Sequence, residues 1–126
     1  MFISIDFNSD EAIYMQLCDQ IIRAIAIQEL REGESLPSVR QMADEIGINM
    51  HTVNKAYAIL RKDGFLKLDR RSGAMIAIDL DKIKALSELD ESLRPVIARA
   101  ICKDVSKEEA IAMVEKIYKE YGGSID

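Results

Sequence analysis

Apolar residues recur along this 126-residue chain with two different periods, and those periods divide it into elements. Ile13, Leu17, Ile21 and Ile25 repeat every fourth residue, with Tyr14, Cys18 and Ile22 beside them. Such a stripe predicts a core-facing helix that runs to about Leu30 and ends at Gly33. Ahead of it, Phe2-Ile3-Ser4-Ile5-Asp6-Phe7 alternates loosely between apolar and polar and predicts a short strand. Asn8-Ser9-Asp10 then reads as a turn and helix cap, with Glu11 suited to a first helical turn.

Leu36-Pro37-Ser38 breaks the pattern, because Pro37 forces Leu36 out of helical geometry while Ser38 can cap a helix beginning at Val39. That second helix is short: Val39, Met42, Ala43 and Ile46 share a face, and Gly47 stands where a left-handed residue stops a helix sharply. Ile48 is expected to be buried in the turn. Asn49 caps a third helix, with Val53, Ala56, Tyr57 and Leu60 on one side and a stop at Asp63-Gly64. Phe65–Leu68 and Ala74–Ile78 are β-prone runs joined by Asp69-Arg70-Arg71-Ser72-Gly73, which predicts a hairpin with a basic tip.

Beyond the hairpin, Leu80, Ile83, Leu86, Leu89, Leu93, Ile97 and Ile101 recur at spacings of three and four, so the tail is helical. Pro95 lies within it; the segment either kinks there or restarts near Asp90 with Pro95 in or near a new first turn. Ser106-Lys107-Glu108-Glu109 fits a capping box for a last helix that carries Ile111, Val114, Ile117, Tyr118 and Tyr121 and stops at Gly122-Gly123. The fold class that follows is mainly α with a small β-hairpin. An N-terminal winged helix-turn-helix covers residues 1–78, and a short helical dimerisation tail covers 79–126.

Composition changes this picture little: 48% hydrophobic and 31% charged is ordinary for a globular chain. No apolar run approaches the ~20 residues that cross a bilayer, and the first residues hold no basic leader, so a cytoplasmic protein without membrane contact is expected. Cys18 and Cys102 stand far apart among apolar residues and are expected to be buried, reduced thiols. His51 is the single histidine, and metal ligands come in clusters. No nucleophile has a base beside it in a readable motif and no glycine loop cradles a phosphate. No catalytic residue, metal site or cofactor is therefore expected, and the chain is not read as an enzyme.

The net charge of −5 runs against nucleic-acid binding until its distribution is seen. Residues 1–32 carry −4 and residues 79–126 carry −3, whereas residues 33–78 hold 7 basic against 5 acidic side chains. The positive block concentrates Lys55, Arg61, Lys62, Lys67, Arg70 and Arg71, which confines any contact with DNA to the middle of the chain. Two short helices joined by a tight glycine turn make a helix-turn-helix, in which the first braces and the second offers its N-terminal turns to base edges. With Ile48, Val53 and Leu60 held inward, His51, Thr52, Asn54, Lys55 and Ala58 remain on the outside of the recognition helix, residues 50–62, whose N-terminal cap Asn49 joins the same interface. His51 is suited to a phosphate or a base. The wing, residues 66–78, brings Arg70 and Arg71 to the minor groove or to phosphates.

Residues 33–73 also resemble the winged-helix domain of the GntR family of bacterial regulators. The resemblance rests on Gly33, Leu36-Pro37-Ser38-Val39-Arg40, Ala43, Gly47, Thr52-Val53, Lys55-Ala56-Tyr57, Leu60, Gly64 and Gly73. The short two-helix tail in place of a large sensor domain is similar to the YtrA subfamily. The resemblance implies that Arg40 pairs with a guanine edge and that Ser38 and Thr52 hold phosphates. It further implies backbone contacts from Lys55 and Tyr57 and a wing that enters the minor groove at Gly73. The chain departs from the family pattern at Val39, where many members have Glu, at Asn49-Met50-His51, which lacks an arginine, and at Gly73-Ala74-Met75, which lacks a second glycine.

The tail is too small to enclose a typical ligand pocket by itself, so no effector is assigned. Its apolar stripes exceed what a three-helix domain needs, and a two-fold helical interface is the economical use for them. The expected function is that of a sequence-specific regulator, a repressor, binding palindromic double-stranded DNA as a homodimer. The alternative is a winged-helix module for protein–protein contact that does not bind DNA.

Overall fold

The computed structural model describes residues 3–71 and 73–122, and within them two compact units, divided at Asp79–Leu80. Phe2 of the expected strand, Ser72 of the hairpin tip and Gly123 of the last stop lie outside the described residues. In the first unit, helix α1 (Ile13–Ala26) is followed by α2 (Val39–Ile46), α3 (Met50–Lys62) and a hairpin of β1 (Leu66–Asp69) and β2 (Gly73–Ile76). Helix α3 is the centre: α1, α2 and β1 all pack against it. The largest fully enclosed side chains are Leu17 and Ile21 of α1, Met42 of α2, Val53 and Leu60 of α3 and Ile76 of β2.

Residues 3–7 do not form a strand. Two glutamines of α1 take the place of a partner strand. The Gln20 amide accepts from the Ser4 N–H at 2.9 Å and donates to the Ser4 carbonyl. Gln16 accepts from the Asp6 N–H at 2.9 Å and donates to the carbonyls of Asp6 and Glu11. Four residues of helix rise ~6 Å and two residues of extended chain ~6.6 Å, so the two ladders stay in step over this length. Gln16 is buried, and its bonds to these backbone groups satisfy the polar atoms that burial would otherwise strand.

The ends of α1 also differ from expectation. Asn8-Ser9-Asp10 folds into a turn of its own, with Asn8 N–H on the Asp6 carboxylate and Glu11 N–H on the Ser9 hydroxyl. The helix starts later, after Ala12, without a side-chain cap. At the other end it stops at Ala26 rather than near Leu30, because Gln28 takes a left-handed backbone (φ 65) and the N–H groups of Glu29 and Leu30 fold back onto the Ala24 carbonyl. The segment 33–36 then runs beside β2: Leu36 N–H bonds Ala74 O, Gly33 N–H bonds Ile76 O, and Ile76 N–H bonds Glu34 O. The hairpin thus has a third extended segment on its open edge. Its first strand is shifted one residue along from the β-prone run and its second ends two residues earlier, pairing Leu66 with Ile76 through Asp69 with Gly73.

The second unit holds α4 (Lys82–Cys102) and α5 (Lys107–Gly122). Helix α4 continues through Pro95 and does not restart at Asp90. Asp81 caps it through the Lys84 N–H, and the predicted capping box closes on α5 with Ser106 N–H on the Glu109 carboxylate and Glu109 N–H on the Ser106 hydroxyl. These two bonds hold the Glu109 carboxyl below the usual carboxylate range. Neither helix has a buried residue, and the two do not pack along one another. Cys102 is accordingly exposed, contrary to expectation, while Cys18 is buried with its thiol on the Ala56 carbonyl.

Candidate nucleic-acid interface

Helix α2 begins at a complete capping box. The Ser38 hydroxyl accepts from the Gln41 N–H, and the Gln41 side chain accepts from the Ser38 N–H, both at 3.1 Å. Arg40 stands exposed in the first turn, and no acidic residue shares that turn. Among the described residues no carboxylate pairs with its guanidinium, which leaves the positive end of the helix and the side chain both open to an anion.

Gly47 turns the chain in the left-handed conformation (φ 71), its N–H and that of Ile48 both meeting the Ala43 carbonyl. Ala43 is buried at this crossing, and Ile48 is half-buried rather than enclosed. Asn49 caps α3 through the His51 N–H at 2.7 Å, so its carbonyl oxygen is engaged before any ligand arrives. Val53, Ala56 and Leu60 fasten the inner side of α3 with no exposure at all. Met50, His51, Asn54, Lys55 and Ala58 are exposed and Thr52 half-exposed on the other sides, again without an acid in the first turn. A rod anchored on one flank and polar on the opposite one follows directly from the 3.6-residue period.

Tyr57 belongs to the anchored flank. It is 6% exposed, and its hydroxyl donates to the Pro37 carbonyl at 2.8 Å, with burial first and Glu45 second raising its pKa. The geometry makes Tyr57 a strut between α3 and the start of α2, not a side chain on the open surface. Lys55 leans the other way, with its ammonium 3.9 Å from the centroid of the Tyr14 ring on α1.

The hairpin tip is shaped by the Asp69 carboxylate, which accepts from the Arg71 N–H at 2.7 Å, and by Gly73 at φ 71. Arg70, Arg71 and Gly73 are all exposed there. Between α3, the start of α2 and the hairpin lies a small open cleft of about 140 Å³, walled by Asn54, Ala58 and Arg61 on one side and Leu66, Leu68 and Ala74 on the other. In the sequence Arg61 belongs to the positive block and carries no motif that marks it as a site residue. Its spacing of seven from Asn54 puts both on one stripe of α3, and that spacing is the signal that finds it.

The geometry brings Ser38, Arg40, Asn49, His51, Thr52, Asn54 and Lys55 to two helix starts in the first unit, and Arg70, Arg71 and Gly73 to the hairpin tip. Among the described residues no group of three metal-ligating side chains occurs, and no helix is long and apolar enough to cross a membrane.

Comparison with known proteins matches residues 13–76 to the family described as bacterial regulatory proteins, gntR family. The repressor YtrA of Bacillus subtilis is 28% identical over 124 residues, covering 96% of this chain and 95% of its own. The structure of YtrA from Sulfolobus acidocaldarius, a GntR-family transcription factor, is 37% identical and covers 81% of this chain and 99% of its own, with a TM-score of 0.68. The crystal structure of a transcriptional antiterminator from Listeria monocytogenes EGD-e is 29% identical, covers 100% of this chain and 96% of its own, and superposes with a TM-score of 0.85.

Proposed function

Because the chain belongs to the gntR family of bacterial regulatory proteins, on its YtrA-like branch, and is therefore a DNA-binding transcription regulator and not an enzyme, we propose that it is a cytoplasmic repressor that grips a palindromic operator as a homodimer. The observation that carries the reading is the two-sidedness of α3: Val53, Ala56 and Leu60 are wholly enclosed while His51, Asn54 and Lys55 face outward. Such a helix presents side chains of hydrogen-bonding reach to a major groove without loosening the core.

In this reading Arg40 and His51 address base edges, with Asn54 beside them. Ser38, Thr52 and Lys55 take phosphates, Asn49 and Tyr57 hold the helix starts in place, and Arg70, Arg71 and Gly73 form the wing's contact with the adjacent groove. Residues 1–78 make the DNA-binding part and 79–126 the dimerisation part. The dimer is supported by the bare apolar surface of α4 and α5, where Ile83 is 84% and Tyr118 69% exposed. A repressor role is supported by the likeness to the Bacillus subtilis repressor.

Gel-shift titration of palindromic fragments selected from the source genome, repeated over a range of salt, tests the proposal. Affinity should fall steeply and log-linearly with salt as neutralised phosphates release counterions. A complex with one protein per fragment, or one insensitive to salt, rejects it.

A further inference from the structure

We propose that Tyr14 is a positioning residue for DNA binding, holding the Lys55 ammonium over its ring where the phosphate backbone passes the recognition helix. The inference rests on the reading of Lys55 as a phosphate contact. It adds a residue from the bracing helix α1 that lies outside the helix-turn-helix altogether.

The contact itself is short, 3.9 Å from ammonium to ring centroid, well inside the ~6 Å over which a cation is drawn to the ring's negative face. Tyr14 is fixed from behind, since it is half-buried and packs against the core cluster beside Leu17 and Cys18. Lys55 is exposed, and lies three residues beyond Thr52 and four beyond His51 on α3. Those spacings make Lys55 the neighbour of both on the helix surface, and Lys55 leans toward α1. A row of phosphates that meets Thr52 therefore runs on toward the gap between the two helices, which the ammonium occupies.

A free lysine on a helix surface samples many rotamers, and ordering it on a phosphate costs entropy at the moment of binding. Here the ring has already ordered it. The ammonium is a compact charge with three donors, so one side can rest on the ring while the others stay turned toward solvent or a phosphate oxygen. Ring and phosphate are both attractive to the cation and do not exclude one another, which makes the ring a seat and not a competitor.

The test is an isosteric series at position 14 in the full chain: Tyr14→Phe, then phenylalanines with one, two and three ring fluorines. Fluorination drains the negative face of the ring while leaving its packing almost unchanged, a readout that a purely structural role would not move. Binding to a mixed-sequence duplex is measured over a range of salt. The phenylalanine variant should bind like wild type, and affinity should fall stepwise along the series by roughly two- to five-fold in total. In a Lys55→Gln background the series should become flat, and Lys55→Gln itself should reduce the salt slope by about one. A flat series with the slope still reduced by Lys55→Gln overturns the role of Tyr14 alone. So does affinity that rises with fluorination, which would mean that the ring competes with DNA for the lysine. An unchanged slope in Lys55→Gln removes the phosphate contact and overturns both readings.

Discussion

In the proposed complex, Arg40 is the residue on which base discrimination should depend most. It sits in the first turn of α2 with no carboxylate among the described residues to hold it back, and a guanidinium offers the paired donors that match the acceptors of guanine in the major groove. Arg40→Ala should weaken binding to the selected operator by ~1–3 kcal/mol and flatten the difference between that operator and single-base variants. Competition gel shifts read both effects, and an unchanged ranking of variants would assign specificity to α3 instead. Cys18 is a residue of the opposite kind, enclosed and silent in binding. Burial, with Asp19 and Asp63 adding to it, pushes its thiol up to about 11 from 9.0. The folded state thus favours the neutral thiol. That preference is fully present below pH 9 and is lost as pH rises through about 11. Unfolding free energy should therefore decline more steeply between pH 9 and 11 in wild type than in Cys18→Ala; urea titrations with parallel slopes would refute the linkage.

Elements were legible where a local device marks their ends. Ser38, Gly47, Asn49 and Gly64 bound α2 and α3, and each of those helices begins and ends within two residues of its marker. Helix α1 has no such markers, because Ala12 caps nothing and a non-glycine residue, Gln28, takes the left-handed turn. The N-terminal segment misleads for a related reason: its alternation is real, but its partners are the side-chain amides of Gln16 and Gln20, which no periodicity reveals. The pairing of 33–36 with β2 was hidden because it joins residues some forty positions apart, one of them beside Pro37. Within the site, the exposed face of α3 is legible as the complement of its core stripe, whereas Tyr57 fits both the core stripe and the family's contact pattern, and only its hydroxyl on Pro37 decides between them. The hairpin carries a prediction of its own scale. Its tip places Arg70 and Arg71 together at a turn tied by Asp69, and two exposed cations would be expected to meet phosphates of any sequence. Replacing both with Ala should weaken operator and mixed-sequence duplexes about equally and reduce the salt slope by up to about two. A loss confined to the operator would instead place the arginines against bases.

At the scale of the whole molecule, the two units differ in how they satisfy their apolar surface. Every residue of the buried core, with the partly buried side chains packed on it, lies at or before Ile78, and Asp79 closes the unit with its N–H on the Gly64 carbonyl. A chain cut after Asp79 therefore keeps the whole of that core. The second unit has two helices and, among the described residues, no enclosed side chain, and large apolar groups are rarely left bare in such number unless another surface covers them. If that surface is the same unit of a second copy, two recognition helices are tethered, and the second half-site is met at an effective concentration set by the tether instead of the bulk. Residues 1–79 should then fold as a monomer by sedimentation. They should bind a single half-site about as the full chain does, and lose roughly 10²–10⁴-fold in affinity for the palindrome. Moving the half-sites apart by half a helical turn should impose a comparable loss on the full chain and almost none on the truncated one, because only tethered heads are sensitive to the face of the duplex on which the second site lies. A truncated chain that still sediments as a dimer would place the pairing surface within the first unit, and a full chain indifferent to that rotation would mean that its two heads are not tethered at all.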